Sequence, residues 1–217
     1  MSLRIAFPLF AAALWTTPVH ASWGVVAVPP AAEDAASAEA RASGASGDAA
    51  IPVCRRMASG LALCVRAPDS TKIAMRSQLA AANVSEAAVF AQVRDGVEAA
   101  WATTPAGTYS VDGVKGSYFV RAARDGFDSA GLLRPDLLAS LAGNNPVVAI
   151  PEDGTLMWWV PGDADFDKML AVGVKRMAEA SAAPVSARVY QHNGTEWTVW
   201  GEVRGTIGLP APAQPSP

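Results

Sequence analysis

Two turn dipeptides, Asp153-Gly154 and Asn193-Gly194, each stand between runs of strand-forming residues, and they limit how the chain can fold. Both are tight-hairpin signals, because glycine accepts the positive φ that such turns need. Pro146 to Ile150 leads into the first turn and Thr155 to Val160 leaves it. Ala187 to Gln191 and Glu196 to Val203 flank the second. Strands joined so closely must pair antiparallel, since parallel neighbours need a long crossover. A further hairpin is expected from Tyr109–Val111 and Tyr118–Ala122, turned at Asp112-Gly113 or at Lys115-Gly116.

Between the hairpins the apolar spacing changes from two to three and four. Val89, Phe90, Val93, Val97, Ala100 and Trp101 fall on one helical face, started by Asn83-Val84-Ser85-Glu86 and ended by Pro105 and Gly107. Asp128-Ser129 can cap a helix through Leu132 and Leu133, and Pro135 can begin another that ends at Gly143. Asp163 opens a third, with Phe166, Met169, Leu170, Val174, Met177 and Ala178 on one face. Thr71 to Met75 reads as a strand or its edge. Helices separated by antiparallel hairpins predict an α+β fold, a single domain with amphipathic helices packed on one sheet face.

The chain of 217 residues is long enough for one domain of that kind and some extra length. Residues 1–21 resemble an export signal: Arg4, a short apolar run from Ile5 to Trp15, and the small-residue spacing Val19-His20-Ala21. Thr16, Thr17 and Pro18 stop the run well short of the ~20 apolar residues of a membrane span. Residues 22–50 are rich in Ala, Ser and Gly and are expected to be a disordered tether, because Ala35 to Ala50 holds no apolar side chain larger than Ala. The domain is expected over 51–204, followed by a Pro-rich disordered tail at 205–217.

Export agrees with the cysteines. Cys54 and Cys64 lie in two strand-like runs around Ala58-Ser59-Gly60, and folding about Ser59 sets them face to face. A structural disulfide is expected, and with it a periplasmic or secreted location. The formal charge of −3, with scattered arginines and no basic stripe, argues against a nucleic-acid partner.

The stretch Asp125-Gly126-Phe127-Asp128-Ser129, then Leu132-Leu133-Arg134-Pro135, Val147-Val148-Ala149-Ile150-Pro151, Asp153, Leu156 and Tyr190…Asn193-Gly194 resembles the YtpQ-like bacterial proteins, a family of unknown function. The resemblance covers roughly the C-terminal half. It implies an α+β fold and transfers no activity. Glu152 stands where the family tends to carry an arginine, so any ligand contact made by that arginine would be missing here.

Few residues point to catalysis. His192 is the one histidine beyond the leader, and it precedes the Asn193-Gly194 turn, a place for a solvated residue. No Gly-x-Ser-x-Gly elbow or phosphate-binding glycine pattern occurs. Asp163, Asp165 and Asp167 alternate like a calcium loop, but Lys168 and Val174 occupy the places of its glycine and glutamate, so they read as a helix start. No metal and no cofactor is expected. Asp125, Asp128, Glu152 and Asp153 lie in turns, and a carboxylate pair among Asp125, Asp128 and Asp153 could serve as a general acid if folding brought them together.

Adjacent tryptophans on a strand face opposite ways, so one of Trp158-Trp159 and one of Trp197 and Trp200 point away from the core or under a helix. If Trp159 and Trp200 are exposed neighbours, they form an aromatic patch for a protein or glycan partner. The leading expectation is an exported, non-catalytic module that binds an envelope or extracellular partner through Trp159, Trp200, Asp125 and Asp153. The alternative is an enzyme using the carboxylate pair.

Overall fold

The computed structural model describes residues 23–68 and 70–200. The expected leader and Pro-rich tail lie outside them. Among these residues nine strands form two antiparallel sheets, and the hairpin pairs are antiparallel as their short turns required. In the first sheet β1 (Gly24–Val28), β3 (Leu61–Arg66) and β2 (Cys54–Ala58) are ordered β1-β3-β2. The second is ordered β4-β5-β7-β6-β8-β9, from β4 (Gly107–Ser110), β5 (Ser117–Arg121), β6 (Val147–Ala149), β7 (Leu156–Trp159), β8 (Val189–His192) and β9 (Trp197–Val199). The class is α+β, with five α-helices among the described residues: α1 (Pro30–Ala42), α2 (Arg76–Ala81), α3 (Glu86–Thr103), α4 (Pro135–Ala142) and α5 (Ala164–Ala180).

Period-two alternation decides what each sheet face packs on. Val148, Trp158, Tyr190 and Trp197 enter one core with Leu61, Leu63 and Val65 of β3 and with Val89, Phe90, Val93, Val97 and Trp101 of α3. Val147, Ala149, Met157, Trp159 and Trp200 point the other way, onto Phe166, Leu170 and Val174 of α5. The helices therefore cover both faces of the six-stranded sheet rather than one. The sequence of β6 and β7 carries the reason: every residue of both strands is buried, so neither face is left to solvent.

The tether expected over 22–50 is overturned for its described part. Val25 and Ala27 of β1 join the main core, while Val26 and Val28 line the outer face of the small sheet with Ala62 and Cys64. α1 lies over that face through Ala32 and buries none of its own residues completely. The missing large apolar side chains do keep α1 out of the core. They do not keep it from covering a sheet face that Val26 and Val28 already define.

Local signals mark the helix ends with small shifts. Ser85, not Asn83, caps α3 by accepting from the Ala88 amide at 3.1 Å, and Asn83 takes a positive φ of 55° in the preceding turn. Asp163 caps α5, accepting from the Asp165 and Phe166 amides. The segment after Asp128 forms a 3-10 turn, Ser129–Leu133, because the Asp128 side chain points back to the preceding loop instead of capping forward. Thr71 to Met75 contributes only isolated bridges, Arg66 with Ile73 and Pro52 with Met75.

Candidate functional site: a polar cleft between the two sheets

The residues that build the site start at the end of β5. Arg121 follows an apolar run and is buried, so its guanidinium needs partners inside the protein. It donates to both oxygens of Asp125 at 3.0 and 2.5 Å, to Asp128 Oδ1 at 2.7 Å and to the Thr104 carbonyl at 3.2 Å. The guanidinium also lies 5.4 Å from the ring centroid of Trp101. Asp128 then accepts from the Ala123 and Arg124 amides, and Asp125 from the Phe127 amide. Two acidic residues thus tie a seven-residue loop to one arginine, and Trp101 Nε1 adds a bond to the Phe127 carbonyl.

This frame sets the backbone of Arg124 at φ 56°, a left-handed conformation that non-glycine residues seldom adopt. Its stem crosses the Asp153-Gly154 turn, where a Cβ on Gly154 would come 2.9 Å from Arg124 Cγ. Glycine at 154 thus serves both the turn, at φ 73°, and the close approach of the arginine. From the other sheet, Arg66 at the end of β3 reaches Asp153 Oδ2 at 2.6 Å. The chain after α5 closes the remaining side, with the Asp153 amide donating to the Ala183 carbonyl and Ser181 Oγ to Glu152 Oε2 at 3.0 Å.

These segments enclose a cleft of about 440 Å³, lined among others by Arg66, Arg124, Asp128, Ser129, Glu152 and Asp153. Its volume falls within the ~300–1,000 Å³ usual for small-molecule sites. Three of the four acidic residues singled out from the sequence meet here. Asp125 is the exception: it belongs to the frame and does not line the cleft.

Electrostatics separate the two frame carboxylates. For Asp125, burial pushes the pKa upward, but hydrogen bonds from Arg121 and the Phe127 amide and the arginine's charge outweigh it, leaving the pKa below its ordinary value. For Asp128, burial prevails over the Ala123 hydrogen bond and the attraction of Arg121, with repulsion from Asp125 added, and the pKa is raised.

Trp159 and Trp200 do not form an exposed patch. They are 0% and 6% exposed, packed in the α5 core, and Trp159 Nε1 donates to Asp167 Oδ1 at 3.0 Å. The odd spacing placed them on the face opposite Trp158 and Trp197, and α5 covers that face. Cys54 and Cys64 face each other in the β2–β3 register and are joined by a disulfide. Glu33 lies beside the two sulfurs, the one such grouping of possible metal ligands among the described residues, but the disulfide leaves neither sulfur as a thiolate. His192 does not line the cleft. Its Nδ1 accepts from the Gly194 amide at 3.2 Å and its ring meets Trp197 edge-on.

Sequence reasoning missed Arg66, Arg121, Arg124 and Ser129. A signal for Arg121 was present, a charge at the end of the apolar run Tyr118-Phe119-Val120 with acids four and seven residues on. Nothing local marks Arg66 as the partner of Asp153 across the cleft. Comparison with family models, with curated proteins and with solved structures finds no match for this chain.

Proposed function

We propose that the protein is an exported, non-catalytic binding module whose ligand site is the cleft between Arg66, Arg124 and the Glu152-Asp153-Gly154 turn. The observation that carries this reading is that every carboxylate of the cleft is already engaged by protein donors. Asp128 accepts three hydrogen bonds, Glu152 accepts from Thr155 and Ser181, and Asp153 accepts from Arg66. Groups held in this way orient a ligand better than they take a proton from it. The disulfide supports an oxidising compartment, periplasmic or extracellular, as does the signal-like N-terminus. No helix among the described residues is long and apolar enough to cross a membrane.

The test uses Arg124→Gly, which removes the side chain while suiting the positive φ. A low-mass extract of the cell envelope and medium, titrated into 15N-labelled protein, should shift the amides of Gly126, Ser129 and Gly154, and the response should vanish in the variant. Shifts confined to other surfaces, or none, would overturn the cleft as the binding site.

A carboxylate-pair enzyme is the second reading. Asp128 and Asp153 share the cleft, and burial raises the pKa of Asp128 in the direction a general acid requires. Chemical conversion of an extract component, abolished by Asp153→Asn, would favour it over simple binding.

A further inference from the structure

We infer that the cleft takes a small zwitterion, a free amino acid or a short peptide, with its carboxylate on the Arg124–Ser129 side and its ammonium toward Glu152 and Asp153. The inference rests on the cleft being the binding site and adds the chemical class of its ligand.

The argument is a comparison of donors and acceptors. Three donor groups stand in the lining. The Arg124 side chain is 74% exposed, and its closest carboxylate oxygen, on Glu152, is 4.0 Å away, beyond hydrogen-bond distance. Arg66 Nε is buried without a partner, although the NH2 nitrogen of the same group binds Asp153. Ser129 also lines the cleft and adds a hydroxyl to that side. Leaving Arg66 Nε buried without a partner is costly, and beside the exposed Arg124 guanidinium it suits the cleft to an oxyanion.

A simple anion does not complete the match. Two guanidinium groups face three carboxylates in the lining, which leaves the walls net negative. An ionised carboxylate offers about four lone-pair sites. Glu152 accepts two hydrogen bonds and Asp153 one, so both keep room for a cationic donor. A ligand with one carboxylate and one ammonium satisfies both sides and adds no net charge. Val25, Ala182 and Ala183 in the lining favour small apolar side chains between its two ends.

Four probes test this on the full chain by 15N chemical-shift titration. They are alanyl-alanine, N-acetyl-alanyl-alanine, alanyl-alanine amide and inorganic phosphate. The free dipeptide should shift the Gly126, Ser129 and Gly154 amides and bind at least tenfold more tightly than either capped form or phosphate. Arg124→Gly, verified as folded by its spectrum, should remove the advantage of the free carboxylate over the amide. If the acetylated peptide or phosphate binds as well as the free dipeptide, the site is one for plain anions and the zwitterion assignment is wrong, while the cleft remains the binding site. If no probe moves the cleft amides, the assignment also fails, and the extract titration then decides separately whether the cleft binds anything.

Discussion

Arg121→Met tests the frame that shapes the cleft. Methionine keeps an unbranched apolar stem but leaves Asp128, whose side chain is 3% exposed, without its counter-charge. It also removes the bonds to Asp125 and to the Thr104 carbonyl. Removing one partner of a buried ion pair costs about 3–5 kcal/mol, a large share of the ~5–15 kcal/mol that holds a domain folded. Part of that cost should be recovered in acid. Burial already raises the Asp128 pKa above its ordinary 3.8 with Arg121 present, and losing the guanidinium raises it further. A carboxyl whose folded pKa is raised takes up its proton on folding, so its charge destabilises the fold above that pKa and the penalty is relieved as pH falls toward 3.8. Urea denaturation should therefore show the full deficit near pH 7 and a smaller one near pH 4, with unchanged m-values. A deficit below about 1 kcal/mol at neutral pH, or one that grows on acidification, would refute the frame as described.

Three further perturbations address other parts of the structure. Trp159→Ala and Trp200→Ala should each lower stability by about 3–5 kcal/mol in chemical denaturation; unchanged stability in both would restore an exposed aromatic patch. Native protein should show no free thiol to a labelling reagent without reductant, and the Cys54→Ala, Cys64→Ala double variant should lose about 3 kcal/mol or less; quantitative labelling of the untreated protein would sink the bridge. Gly131→Ala should destabilise by about 1–3 kcal/mol, because its Cβ would lie 2.7 Å from both Leu156 Cδ2 and Trp101 Cη2, and wild-type thermal stability in that variant would contradict the packing around Trp101.

The antiparallel class was legible because turns and periodicity act over a few residues. Asp153-Gly154 closes β6 onto β7 with Val148 opposite Trp158, and Asn193-Gly194 closes β8 onto β9. The apolar stripe of α3 and the facing cysteines were legible for the same reason. Segment composition misled where a short β-branched run mattered more than its surroundings. Gly24–Val28 sits in an Ala-rich stretch, yet its valines pair with β3 and create the face that α1 covers.

What the amino-acid order determined on its own was the tight hairpins, the stripes of α3 and α5 and the alternation of side chains, since these follow from neighbours along the chain. It put Trp158 and Trp159 on opposite faces of one strand, but only the docking of α5 decided that the second face is dry. The cleft belongs wholly to tertiary structure. Arg66 and Asp153 are 87 residues apart in sequence and 2.6 Å apart in space, a meeting that depends on how two sheets pack. Arg121, by contrast, binds acids four and seven residues away, yet it needs the surrounding core to exclude water before that short-range triad becomes a rigid frame.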